Sequence, residues 1–266
     1  MSIDENGFLD ADAATCIQKH RQDHKDLFAV CEEINRLGQT HLHKLAIHNE
    51  DVQEILVALL FIRALGAHQT SILLVERGLV AEARIILRTH LEVLFKLRAI
   101  SNDREIAKAY VYEDDIFRKK FLNKFKLLSD DVKQAQGSPQ LDDLLKAIKE
   151  NIDTKEIVER QTQWYAQKAG LSDYYNAAYS LFSGAVHANV RELQELVRVD
   201  EQGKIQEILY GPDTATALDK LLLTGGETQC LVLEDVSRTF SLKIESQSTE
   251  LHSQLKRLFE AKHSGA

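Results

Sequence analysis

Two stretches of this sequence carry residues whose types and spacing could do chemistry. In VAEARIILRTHLEVLFKLRAI, Arg84, Arg88 and Glu92 follow one another at intervals of four. On a helix that spacing puts all three on one face. The rest of the stretch is apolar almost all the way round, with Ile85, Ile86, Leu87, Leu91, Val93, Leu94, Phe95 and Leu97. A helix of that kind is a buried one. Charge in such a setting needs a partner, because leaving it unpaired is costly. Arg88 and Glu92 can pair with each other, and a second carboxylate from elsewhere can meet Arg84. Two readings follow: an ion pair that fixes helix register, or a polar pocket inside a bundle, where function is commonly placed.

The second stretch is SDYYNAAYSLFSGAVHANVRELQELV. Tyr175, Tyr179, Ser183 and His187 recur every four residues, and Asn176 and Arg191 lie close to the same face. Beside them, Ala177, Gly184 and Ala188 are small enough to admit a neighbouring helix. Histidine is the side chain that moves protons near neutral pH. Ser183, one turn earlier, can bond its ring and fix a tautomer. A Ser-x-x-x-His pair on one helix is not a nucleophile–base dyad by itself. A third, orienting group must come from elsewhere, and Glu92 is the candidate. The alternative is a core histidine satisfied by its neighbours. The candidate catalytic residues are therefore Arg88, Glu92, Ser183 and His187. Arg84, Asn176, Tyr179 and Arg191 are the candidate binding residues.

These residues need long helices to hold them, and the chain has few breakers. It contains two prolines, Pro139 and Pro212, and twelve glycines in 266 residues. Helices are expected at 12–48 with a break at Gly38, at 49–77 between the cap Asn49 and the stop Gly78, at 80–100 and at 103–128. A turn at 137–140 precedes a short amphipathic helix, LDDLLKAIKENI. Further helices are expected at 154–169 and 173–196, and over 213–263 with a possible break at Gly225–Gly226. Residues 197–210 alternate on both sides of Gln202-Gly203, the pattern of a β-hairpin. An isolated hairpin is marginal in water, so this one is expected to pack on the bundle. The expected fold is all-α, a bundle of about seven to nine mostly antiparallel helices with one short β-hairpin. Its parts are an N-terminal helical segment at 1–48, a core bundle at 49–212 and C-terminal helices at 213–266.

Composition bounds the function. The formal charge of −8 disfavours general binding to phosphate backbones. No run approaches eighteen apolar residues, so no membrane span and no membrane partner are expected. The acidic start MSIDENGFLDAD lacks the apolar region of a secretory signal. Cys16, Cys31 and Cys230 are too few and too scattered for a disulfide framework or a zinc site, and they read as small buried hydrophobes in a reducing cytoplasm. His20 and His24 have the spacing of a metal pair, but a solvated helix face is the plainer reading. No metal or cofactor is expected.

The run GLVAEARIILRTHLE, followed by YYNAAYSLFSGAVHANV, resembles an uncharacterised all-helical prokaryotic family catalogued as a domain of unknown function. In that pattern an Arg-[Ser/Thr]-x-x-Glu helix precedes a Tyr…Ser-x-x-x-His helix. Arg88, Thr89 and Glu92 match the first part, and Tyr179, Ser183 and His187 the second, over about residues 50–210. The chain is also distantly similar to the HEPN superfamily of helical bundles. Many HEPN proteins are ribonucleases of toxin–antitoxin and phage-defence systems, with an Arg and a His four to six residues apart assembled across a homodimer. Arg36/His41, Arg63/His68, Arg84/His90 and Arg257/His263 have comparable spacings, whereas His187 has no arginine so placed before it. The function expected is that of a helical binding or regulatory module of a bacterial stress or phage-defence system, acting with a partner protein or small ligand. Its alternative is a metal-independent endoribonuclease or toxin acting on RNA. There His187 would move the 2′-hydroxyl proton, Arg88 would stabilise the phosphorane charge and Glu92 would orient.

Overall fold

The computed structural model describes residues 7–9, 13–128, 141–212 and 217–264. It is an all-α fold with one two-stranded antiparallel hairpin. The helices are α1 (Ala13–Asp23), α2 (Lys25–Leu42), α3 (Val52–Glu76), α4 (Val80–Asn102), α5 (Arg104–Tyr112), α6 (Asp114–Phe125), α7 (Leu141–Thr154) and α8 (Thr162–Lys168). Next comes α9, which joins Ser172–Tyr174, a π-helical turn at Tyr175–Tyr179, and Ser180–Val186. Then follow α10 (Val190–Gln194), β1 (Val197–Val199), β2 (Ile205–Ile208), α11 (Ala217–Phe240) and α12 (Glu245–His263). The expected turn at 137–140 and the expected start of the C-terminal helices at 213 lie outside the described residues.

The core is built where α3, α4 and α11 pack on one another. Its centre holds Phe61, Leu65, Leu87, Leu91, Leu94, Phe95 and Leu233, all buried. One side is closed by α2 and α12, while α8 and α9 cover α4 on another. Asp51, two residues later than the expected cap, accepts from the backbone N–H groups of Gln53 and Glu54 and starts α3. Gly78 ends it at φ +70°, with the Leu79 amide bonded to the Leu74 carbonyl. That left-handed stop is the one glycine provides without strain.

Several expected helices are divided or moved. The first breaks at His24 rather than Gly38, which lies inside α2, where a Cβ would come 2.6 Å from Leu65 Cδ2. A glycine here serves close helix packing, not a break. Gly225 and Gly226 likewise lie within an unbroken α11. The 103–128 helix is divided into α5 and α6 at Glu113, and residues 155–161 are not helical. α3 is long and apolar enough to cross a bilayer by length and composition, although polar residues interrupt its apolar run, and half of its most apolar stretch is buried in the bundle.

The hairpin pairs Val197 with Ile208 and Arg198 with Glu207. Asp200 holds its turn by accepting from the backbone of Gln202 and Lys204, and Gly203 follows at φ +78°. Among the described residues, the expected docking on the bundle is not found. Val199, Ile205 and Ile208 are all exposed. The Arg198–Glu207 ion pair occupies one face, so the other face presents these apolar side chains to solvent.

The bundle interior also carries polar groups. Asp235, with no exposed surface, accepts at 2.7 Å from Arg98 Nε. Burial pushes its carboxyl up, and the Arg98 charge opposes that. His68 and His90 are fully buried with ring centroids 6.1 Å apart. His68 Nε2 lies 3.0 Å from the Cys31 carbonyl and His90 Nε2 3.1 Å from Gln229 Oε1. All three cysteines are buried. His20 and His24 do not form a solvated face: His20 bonds the Glu76 carbonyl through Nδ1, and His24 pairs with the buried Asp219.

Candidate functional site

The two stripes meet. Arg88 Nε donates to Ser183 Oγ at 3.2 Å, and Arg88 Nη2 donates to the Tyr179 hydroxyl at 2.6 Å. That hydroxyl donates to Glu92 Oε1 at 2.8 Å, and Arg88 Nη2 lies 3.0 Å from the same oxygen. The ring is closed: an arginine, a carboxylate and a phenol, each bonded to the other two. The guanidinium also sits 4.8 Å from the centroid of the Tyr179 ring. Tyr179 in turn stacks on Tyr175 at 5.0 Å with the planes 18° apart.

This arrangement depends on the π-helical turn in α9. A π-turn uses five residues where an α-turn uses four, so residues four apart come closer to eclipsed. Tyr175 and Tyr179 therefore stack. Ser180 Oγ donates to the Tyr175 carbonyl at 2.9 Å and so supports the widened turn. Ser183 donates its own proton to the Tyr179 carbonyl at 2.9 Å. Its hydroxyl is committed to the backbone and is not primed by a base.

His187 is not part of the site, contrary to the expected four-residue stripe. α9 ends at Val186, His187 is its exposed C-cap, and Ala188 takes a left-handed φ of +44°. Asn189 then caps α10 by accepting from the Glu192 amide. The helix expected to run to 196 is thus cut one residue before its histidine. Glu92 cannot orient that ring, since it is bound to Tyr179 and Arg88. Asn176 and Arg191 are exposed and hydrogen-bond to nothing among the described residues.

Arg84 finds the second carboxylate its position required, and finds two. Its Nη1 lies 2.9 Å from Glu192 Oε2 and 2.7 Å from Glu195 Oε2. These ties hold α10 against α4. The acids were not singled out in the sequence, although their spacing of three on a short helix is the available signal. Thr162 on α8 was also missed; it lies close enough to Tyr179 to oppose the rise in the phenol's pKa. Burial first, and donation to Glu92 second, raise the pKa of Tyr179, so the phenol stays protonated.

The network is half-buried, not sealed. The Arg88 and Glu92 side chains are 21% and 23% exposed. Glu92 makes both contacts through Oε1, leaving Oε2 without a bond in this network. Among the described residues, no group of three or more His, Cys, Asp or Glu side chains is placed to hold a metal ion.

A family model described as a family of unknown function, DUF5677, matches residues 54–205, more than half of the chain. The chain belongs to this family. The DUF5677 match runs from inside α3 to the start of β2, so it contains both stripes and the π-turn that joins them. Comparison with curated proteins and with solved structures gives no match.

The four Arg/His spacings do not form a common site within the chain. Arg36 and His41 line a cleft of about 480 Å³ between α2 and α12. His68 and His90 are sealed in the core, and His263 pairs with Asp219.

Proposed function

We propose that this DUF5677 chain is a helical binding or regulatory module, acting with a partner protein or small ligand through the Arg88–Glu92–Tyr179–Ser183 network. One observation carries the reading: the network is fully ordered by its own bonds and still reaches solvent. A polar site organised before binding loses little on ordering when a ligand arrives. Its chemistry suits a small polar ligand, or a partner side chain, that bonds Glu92 Oε2 and the edge of Arg88.

The endoribonuclease alternative is less well served. Its proton-transfer group, His187, stands outside the network. The charges that meet there are Arg84 and Arg88 against Glu92, Glu192 and Glu195, an acidic balance that repels a phosphate backbone. The bacterial stress or phage-defence setting comes from the HEPN resemblance, as does a homodimer. The reducing cytoplasm comes from the cysteine usage, three scattered residues that are too few for a disulfide framework.

The test is a thermal-shift screen of small polar metabolites against wild type and Arg88→Lys, paired with incubation of both proteins with mixed RNA. Lysine keeps the charge but loses the planar fork that serves Tyr179, Glu92 and Ser183 together. The expected result is stabilisation of wild type by at least one ligand class, lost in the variant, with RNA intact. RNA cleavage by wild type that the variant lacks would replace this reading with the nuclease.

A further inference from the structure

Residues 116–128, IFRKKFLNKFKLL, carry five basic side chains and no acidic one. The rest of the chain therefore holds −13 of formal charge against a total of −8. The segment forms most of α6 and the turn after it. On α6, Phe117 and Phe121 stand one helical turn apart, 68% and 55% exposed. Lys120 and Lys124 run along one side of this pair and Arg118 along the other, by helical spacing. The turn that follows adds Leu127, 87% exposed, and Leu128. Lys124 has no carboxylate partner among the described residues. Lys120 pairs with Glu159 and Lys126 with Asp142, both exposed pairs, while Arg118 pairs with the exposed Asp114 and the more buried Asp115.

Exposed phenylalanines bordered by lysine and arginine on a helix are the chemistry of an interfacial helix. The rings enter the acyl boundary while the cations meet anionic headgroups. We infer that α6 and its following turn dock on an anionic phospholipid surface, as a peripheral contact that crosses nothing. Charge complementarity selects the surface, since this is a basic patch on an acidic chain. The −13 elsewhere does not forbid it, because fields fall off within about a Debye length of 8–10 Å at ordinary salt. Leu127 and Leu128 favour lipid over nucleic acid, because aliphatic side chains gain from hydrocarbon and offer no face for a base to stack on. The patch shares no residue with the Arg88 network, so either can hold without the other.

The full chain is sedimented with vesicles of phosphatidylcholine alone and with vesicles containing about 30% phosphatidylserine, at about 0.1 M and 0.5 M salt. Binding is expected to the anionic vesicles only and to fall at high salt. Phe117→Ser/Phe121→Ser and Lys120→Gln/Lys124→Gln change exposed side chains, so both variants should melt as wild type does. Each should weaken vesicle binding by about tenfold or more. Phe117→Trp should gain a blue-shifted emission with anionic vesicles, beyond any change from Trp164 in wild type. Wild type that stays in the supernatant with anionic vesicles overturns the proposal, as does equal binding by all three proteins. Retention of an RNA oligonucleotide that only the lysine variant loses, without vesicle binding, would assign the patch to nucleic acid instead.

Discussion

Acid should unfold this protein through its buried imidazoles, and the size of the effect follows from the α3–α4–α11 interior. His90 has no exposed surface. Burial, and then the neighbouring His68, hold its pKa down at about 3 against an ordinary 6.5, while the bond to Gln229 pulls the other way. Burial also lowers the pKa of His68. In the unfolded chain both rings take protons below about pH 6.5; in the folded chain His90 does so only near pH 3, and His68 only at a pH below its ordinary one. The unfolded state then binds more protons, so stability falls as pH falls from about 6.5 toward 3. At about 1.36 kcal/mol per pKa unit, His90 alone costs about 3.4 kcal/mol of stability at pH 4, and His68 adds to it. Carboxylates with lowered pKa, Asp219 and Glu227, also lose stability in acid, while Asp235 is shifted the other way. The measurement is therefore a difference. Urea unfolding of wild type and His90→Gln is followed between pH 7 and 4. The variant keeps an amide for Gln229 and removes the proton site. Its stability should fall less steeply than that of wild type, by about 1.4 kcal/mol per pH unit between pH 6 and 4. Parallel curves would refute the reasoning.

Other substitutions separate sealed charge from half-exposed charge. Glu92→Ala should cost about 1–2 kcal/mol in chemical denaturation, because Arg88 keeps Tyr179, Ser183 and some solvent. Asp235→Ala should cost about 3–5 kcal/mol by the same assay, because Arg98 loses its fully buried partner. Gly66→Ala should raise stability by about 0.5–1 kcal/mol, since nothing lies within 4 Å of the new methyl on an exposed helix face. Gly226→Ala should lower it by about 1–3 kcal/mol, since its Cβ would stand 2.5 Å from Leu255 Cδ2. His187→Ala should change stability by less than about 0.5 kcal/mol, as expected of an exposed side chain.

Much of the bundle is written in periodicity. α3, α4 and the hairpin turn are legible because apolar spacing, Gly78 and Gly203 each have one local physical meaning. The divisions at His24 and Glu113 are not legible, since neither place carries glycine or proline. The break expected at Gly38 misread a packing glycine as a stop. At the site, the demand of Arg84, Arg88 and Glu92 for polar company in an apolar helix was a sound guide, and it led to Tyr179, Ser183 and the acids of α10. The fate of His187 was not legible. It is decided by a non-glycine residue in the left-handed region, Ala188, and by a π-turn that no composition signals. The exposed apolar side of the hairpin was missed because alternation says that two faces differ, not that either is covered.

Three of the interior polar systems among the described residues differ in a way that bears on function. Asp235 and the His68–His90–Gln229 group have no exposed surface, with Arg98 15% exposed beside Asp235, and each system joins α4 to α11. Such groups cost desolvation and reward one register of packing, so they are well explained as devices of the fold. The Arg88 network joins α4 to α9 instead, through a π-turn that an unbroken α-helix would not need. A helix that existed only to cover α4 could do so with apolar side chains and a regular turn. Here α9 gives up regular hydrogen bonding in order to stack Tyr175 on Tyr179 and aim a phenol between an arginine and a glutamate. Departures from local regularity persist where the surrounding structure pays for them, and π-turns are frequent at functional sites. With solvent at its edge, this is the polar system whose geometry exceeds what packing requires.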